Sequence, residues 1–354
     1  MVFPLSFKQF KIPKPQNEPV LTYAPGSWER DALLEKLQVL KKNPIEIPVI
    51  IGKEKISTDD KIEIRAPHDH SLLLGRSSIV DEDLTKKAIS NALHAKSKWL
   101  DYSWDERASI FLKAADIIAG PMRMELNAAT MLNLSKNPYQ AEIDSACELI
   151  DFLRFNAYYM SQIYSNQPDS PKFTVNRMEY RPLDGFVFAV TPFNFVSIMG
   201  NLPSAPTMMG NVVVWKPASS VIYAAYYIMK VFQQAGLPDG VINFIPGMGS
   251  VVGDVVLRHP DLGGIHFTGS TTTFEYMWRV VGEKIKNYNQ FPRLVGETGG
   301  KDFIVAHHSA DIDVLVAETI RGAFDIKVKN VPQLPGYTFP TQCGTLLRKN
   351  LYLN

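Results

Sequence analysis

The alternation of hydrophobic and polar positions changes rhythm once along this chain, near Arg181. Before that point, over residues 18–155, apolar residues recur mostly at helical spacing. Ser103, Trp104, Asp105 and Glu106 read as a capping box, in which hydroxyl and carboxylate each satisfy an orphan backbone donor. The box opens a helix with an apolar stripe through Ile110, Ala114, Ile117 and Ile118. A second helix is predicted over residues 140–155, with Ile143, Ala146, Cys147, Ile150 and Leu153 on one face. Cys147 therefore reads as a small core hydrophobe rather than a nucleophile.

Beyond Arg181 short β-rich runs appear at residues 185–190, 212–215, 241–245, 265–267 and 303–305. Helical stretches at 196–209, 220–235 and 250–257 separate the first four, and another at 272–286 follows the fourth. Apolar strands alternating with helices predict an α/β fold with a parallel sheet covered on both faces. Right-handed crossovers then gather loops, and any ligand, at the carboxyl ends of the strands. No internal repeat or low-complexity tract interrupts this pattern.

The length, 354 residues, is a prior for about two domains. A 45% hydrophobic and 21% charged composition excludes a mainly disordered, collagen-like or coiled-coil chain. The formal charge of +1 advertises no nucleic-acid or membrane-surface partner. No apolar run approaches the roughly 20 residues of a membrane-spanning helix. With only two cysteines, Cys147 and Cys343, the chain has no disulfide scaffold and suits a reducing compartment. Residues 1–17 carry Lys8, Lys11 and Lys14 without an acid, yet Pro4, Pro13 and Pro15 interrupt any helix and arginine is lacking. An extended arm and a targeting segment both remain open.

Candidate chemistry clusters at the predicted strand ends. The first strand runs into Thr191, Pro192, Phe193, Asn194 and Phe195, where the Asn194 amide either donates to an oxyanion or merely closes a turn. The second runs into Lys216, which either holds ribose hydroxyls or a phosphate or is simply solvated; Ser219 can cap the next helix. After Phe267 come Thr268, Gly269, Ser270, Thr271, Thr272 and Thr273, glycine and hydroxyls opening a helix, the makings of an anion site. Gly247 and Gly249 also precede a helix but lack the full dinucleotide fingerprint. Glu297 is placed in a Gly-rich turn with Gly296, Gly299 and Gly300; partly desolvated it is a general base, otherwise an ordinary loop glutamate. His68 and His70 read as a polar loop, His307 and His308 as pointing to opposite sides of a strand, and no metal-ligand spacing emerges.

Taken in order, these four turns resemble the aldehyde dehydrogenase superfamily over residues 18–324. Pro192-Phe193-Asn194-Phe195 and Gly296-Glu297-Thr298-Gly299-Gly300-Lys301-Asp302 resemble its Δ1-pyrroline-5-carboxylate dehydrogenase branch. That resemblance implies NAD-dependent oxidation of L-glutamate γ-semialdehyde to L-glutamate in proline catabolism. It further implies Asn194 as oxyanion stabiliser and Glu297 as general base. Thr191, Lys216, Gly269, Ser270, Thr271, Thr272 and Thr273 would contact NAD, and no metal is involved. The implied organisation is an NAD-binding domain over residues 18–298, helical over 18–155 and parallel α/β over 181–298. Residues 299–324 would begin the catalytic domain. Family members assemble as homodimers or larger, and the branch resides in the mitochondrial matrix; a cytoplasmic location is the alternative. NAD over NADP rests on the family, and another aldehyde substrate stays open.

The resemblance breaks where the nucleophile belongs. Such enzymes attack the aldehyde with a cysteine thiolate, in a Gly-Ala-Phe-Glu-Tyr-x-Gly-Gln-Lys-Cys motif. Here Gly322, Ala323 and Phe324 begin that motif, and Val331 stands at the position expected for cysteine. Residues 325–336 can be encoded by a string that, read from its third base, gives Tyr-Gln-Gly-Gln-Lys-Cys-Ser-Ala-Thr-Ser-Arg. Residues 325–354 are therefore expected to be a frame-shifted tail, and the chain to lack the dimerising C-terminal region and to expose an apolar face. A non-catalytic, NAD-binding or oligomer-modulating fragment is the competing reading. Sequencing the transcript across Phe324 is expected to reveal the shift, and an unshifted frame encoding this tail would overturn it.

Overall fold

The computed structural model describes residues 12–300 and 303–324. The predicted tail, including Val331, lies outside the described residues, as do Lys301 and Asp302. The apolar runs after Arg181 form β6 (Phe186–Val190), β7 (Val213–Lys216), β8 (Ile242–Phe244) and β9 (Leu262–Thr268), joined by an unexpected β10 (Arg293–Glu297). Between them lie α7 (Val196–Met208), α8 (Ile222–Ala235), α9 (Gly249–Leu257) and α10 (Thr271–Glu283). These five strands are mutually parallel in the order β10-β9-β6-β7-β8. The order reverses between β6 and β9, the topological switch point at which open α/β sheets bind ligands.

The residues before Arg181 correct the helical expectation in part. Helices α1 (Trp28–Lys42), α2 (Glu82–Leu100), α3 (Trp104–Ala119) and α4 (Arg123–Leu134) are present. So is a run of α5 (Pro138–Ala141), a π-helical turn over Glu142–Glu148, and α6 (Leu149–Ser165). Five strands, however, occupy the first third of the chain: β1 (Ile45–Ile47), β2 (Val49–Ile51), β3 (Glu54–Ile56), β4 (Lys61–Ala66) and β5 (Asp69–Ser78). β2 pairs antiparallel with β8 and brings β3 onto the main sheet, while β1, β5 and β4 form a separate three-stranded sheet. β1, β2 and β3 have three residues each and are punctuated by Pro48 and Gly52. The ten-residue β5 buries no alternating face (its residues run largely from exposed to buried along its length), so no long period-2 signal announces these strands. The predicted strand at 303–305 is also corrected, since only an isolated bridge at Val305 forms; the last element is α11 (Ile312–Phe324).

Local chemistry explains the boundaries. Ser103 and Glu106 form the expected capping box at the start of α3. α8 ends at Gly236, whose φ of +97° suits glycine, and Leu237 N–H donates back to the Phe232 carbonyl at 3.1 Å. At the entry to β6, Gly185 has φ +81° and packs so closely that a Cβ would collide with the Asp261 carbonyl. The core is continuous beneath these elements. Trp99, Phe188, Trp215 and Phe244 are fully buried, and the last two meet edge-to-face with centroids 5.0 Å apart. α7, with α3, α6 and α8 beyond it, covers one face of the main sheet, and α2 with α9 covers the other.

Candidate active site

Two cavities open at the carboxyl ends of the parallel strands, one on each side of the end of β9. Phe267 and Thr268 line both. The larger, about 890 Å³, is bounded by the ends of β6, β7 and β9 and by the first turns of α9 and α10. It brings together Thr191, Lys216, Gly269, Ser270, Thr272 and Thr273 from three separate strand ends. Thr271, predicted with them, does not line it; its Oγ1 instead accepts from Gly299 N–H at 3.4 Å.

The walls of this cavity are set by small residues and one buried cation. A Cβ built on Gly249 or Gly253 meets nothing within 4 Å, so both glycines of α9 keep this space open. Gly269 lets the turn after β9 fold over the Phe267 ring, which a Cβ would approach to 2.7 Å. Ser270 caps α10 by accepting from Thr273 N–H at 3.2 Å. Lys216 is 8% exposed, donates only to the Pro217 carbonyl at 3.2 Å, and has no acidic partner among the described residues. Burial alone lowers its ammonium to a pKa of about 8. Thr191, directly beside it, accepts from Trp215 Nε1 at 3.1 Å and so is held by the core.

The smaller cavity, about 420 Å³, lies between α6, α7 and the ends of β9 and β10, and is lined by Glu148, Phe195, His266 and Glu297 among others. Glu297 ends β10 and is exposed, so it stands at the end of a strand rather than in a Gly-rich turn and is not desolvated here: β10 is the edge strand and is paired on one side only. Its carbonyl accepts from Gly269 N–H at 3.1 Å, tying it to the turn beside the larger cavity. Asn194 is 8% exposed, and its Oδ1 is buried without a hydrogen-bond partner.

Several groups that hold this region were not found from the sequence. Asp144, in the π-helical turn, accepts from Val196 N–H and Ser197 N–H, both at 3.0 Å, and so fixes the start of α7 just after Asn194. It is paired at 2.6 Å with Lys136, both 2% exposed, and Lys136 sits 4.4 Å over the Phe195 ring. The available signal was three acids, Glu142, Asp144 and Glu148, inside an otherwise apolar helical stretch. Within α7, Pro206 has no N–H to offer the Leu202 carbonyl. The His266 ring donates to that carbonyl through Nδ1 at 2.9 Å, and burial holds its pKa below the usual histidine range. Glu148 accepts from Ser197 Oγ at 2.8 Å, and desolvation raises its carboxyl above the ordinary glutamate value. Of the other histidines, His68 lies in the turn between β4 and β5, whereas His70 is the second residue of β5 rather than part of a loop. The His307 and His308 rings lie 3.9 Å apart on one side of an irregular segment rather than on opposite sides of a strand. Among the described residues no group of three or more His, Cys, Asp or Glu is placed to hold a metal, and no helix is long and apolar enough to cross a membrane.

The sequence profile of the aldehyde dehydrogenase family matches residues 55–327. The chain belongs to that family. It is 46% identical over 320 residues to the Δ1-pyrroline-5-carboxylate dehydrogenase of Agaricus bisporus, an alignment covering 89% of this chain and 58% of the relative. The mitochondrial human protein of the same name is 44% identical over 321 residues, covering 91% and 57% respectively. Among solved structures, the Mycobacterium tuberculosis Δ-pyrroline-5-carboxylate dehydrogenase bound with NAD superposes with a TM-score of 0.92 at 48% identity. That superposition covers 97% of this chain and 64% of the bacterial one. The chain thus spans less than two thirds of the length of these relatives.

Proposed function

We propose that this chain is the cofactor-binding part of a dehydrogenase that oxidises L-glutamate γ-semialdehyde to L-glutamate with NAD. The observation that carries the reading is the 890 Å³ cavity at the switch point, with Lys216 buried in its wall and lacking an acidic partner. A dinucleotide fits such a site: glycines leave room, an unpaired ammonium meets hydroxyl or phosphate oxygens, and two helix N-termini favour anions. Relatives bearing the name of that activity, one of them bound with NAD, support the assignment. Thr191, Lys216, Ser270, Thr272 and Thr273 would hold NAD, Gly269 would admit it, and Thr271 would brace the turn. When bound, NAD supplies the two-electron oxidant.

The remaining chemistry falls to the smaller cavity and to Asn194, which lines neither cavity but directly precedes Phe195 in the wall of the smaller one. Asn194 would donate to the oxygen of the reacting carbonyl, on a loop that Asp144 and Lys136 hold still. Glu297 would take a proton from the attacking water. Residues 18–298 form the cofactor unit in this reading and residues 299–324 begin the catalytic one. The mitochondrial names of the vertebrate relatives support a matrix location, and self-association of the full-length protein is expected from the family resemblance alone. A non-catalytic, NAD-binding fragment is the second reading, favoured by the burial of Cys147 away from both cavities.

Calorimetric titration tests the cofactor site. NAD affinity is expected to be flat below pH 8 and to fall by up to about tenfold per pH unit above it, because the anion binds the protonated Lys216. Lys216→Met is expected to weaken binding about tenfold or more and to flatten this pH dependence. Absence of NAD binding at pH 7 would remove the reading.

A further inference from the structure

Lys216 has a chemistry that cofactor contacts leave unused. It ends β7 inside the larger cavity, and its amine reaches only the Pro217 carbonyl. Two other titratable groups line the cavity, Asp254 on α9 and Tyr276 on α10. Asp254 is engaged by Arg258 Nε at 2.6 Å, and Lys216 is shifted by desolvation alone. With a pKa of about 8, the amine is neutral in about a tenth of molecules at pH 7, against less than about one in a thousand for an ordinary lysine. A desolvated lysine of this kind is a nucleophile toward carbonyls. Across the cavity α9 starts without a side-chain cap, which leaves its first N–H groups available to an anion.

We propose that Lys216 is a carbonyl-reactive amine that, in the NAD-free chain, condenses with small aldehydes bearing a phosphate. The lone pair of the neutral amine attacks the carbonyl carbon, and the carbonyl oxygen takes up a proton to give a carbinolamine. Loss of water then leaves a C=N bond, so one aldehyde and one amine give one imine and one water. The phosphate lies at the helix N-termini. The site is thus one that an aldehyde and NAD compete for, and bound NAD shields the lysine. The shielding rests on the cofactor reading above; the reactivity rests on the cavity and the amine alone.

Incubation of the full chain with pyridoxal 5′-phosphate, followed by borohydride reduction and peptide mass mapping, tests the proposal. The expected result is about tenfold or more adduct on Lys216 than on any other lysine at pH 7, rising as the pH approaches 8.5. Lys216→Arg is expected to lose that adduct and keep the weak labelling of surface lysines. Labelling of other lysines with Lys216 unmodified, while calorimetry shows NAD bound, overturns the reactive amine and leaves the cofactor site. Labelling of Lys216 that NAD neither suppresses nor displaces keeps the reactive amine and removes the cofactor site.

Discussion

Supplied with NAD and glutamate γ-semialdehyde, this 354-residue chain is expected to produce no aldehyde-dependent NADH. The argument turns on the thiolate that the family's chemistry requires, because removing a catalytic nucleophile costs about 10⁶ in kcat. Val331 occupies the position where the family's motif would continue to cysteine. Among the described residues the one cysteine is Cys147, and its surroundings disable it. It is 6% exposed, and its Sγ lies 3.7 Å from Glu142 Oε1 and 3.6 Å from Arg123 Nη2. Burial pushes the thiol up to about 12, the Glu142 carboxylate adds to the shift, and Arg123 offsets only part of it. At neutral pH it is a protonated core side chain lining neither cavity. The assay is absorbance of NADH over time, with Cys147→Ser alongside. Turnover above the enzyme-free blank would overturn the expectation, and its loss in Cys147→Ser would name the nucleophile.

What the sequence disclosed follows from the strength of its punctuation. Each of β6, β7 and β9 is an apolar run closed by Pro, Gly or a hydroxyl cluster, so the strand ends carrying Thr191, Lys216 and Gly269 could be located directly. β10 could not, because Gly296, Gly299 and Gly300 read as a turn, whereas an edge strand with one parallel partner tolerates a glycine. Its Glu297 is exposed for the same reason. Asp144 was hidden for a different one: an acid one helical turn before Cys147 reads as a solvated position, and no local pattern shows that it sits in a π-helical turn and accepts from Val196 N–H at the start of α7. The pairing of β2 with β8 joins residues far apart in the chain through a single register pair, Ile50 with Phe244, and no local pattern encodes it.

Arg123→Ala is expected to destabilise the chain by about 3–5 kcal/mol, the cost of leaving buried carboxylates without their cation. Arg123 is 5% exposed and Glu142 0%, with Nη2 to Oε1 at 2.5 Å and Nε at 3.2 Å from the same oxygen. Glu142 also accepts from Leu21 N–H at 2.8 Å, Tyr23 O–H at 2.7 Å and Asn127 Nδ2 at 2.8 Å. Arg123 Nη1 reaches Glu18, and Nη2 donates to the Pro19 carbonyl at 2.8 Å, so one guanidinium ties residues 18–23 to α4 and the π-helical turn. Burial alone would raise the Glu142 carboxyl, yet the Arg123 and Leu21 hydrogen bonds and the arginine charge outweigh it and hold it below the usual range. The group therefore stabilises the fold above the unfolded value of about 4.3, and that contribution is lost as pH falls through the lower folded value. In Arg123→Ala the sign reverses: Glu142 keeps its burial and loses its cation, its pKa rises, and protonation near pH 5 should relieve part of the loss. Urea unfolding at pH 7.5 and pH 5 measures both effects. A deficit under about 1 kcal/mol at pH 7.5 would mean that water, rather than Arg123, neutralises the site. Arg123→Met with Glu142→Gln removes both charges together and should recover most of the deficit, because the instability comes from the orphaned carboxylate rather than from the missing arginine.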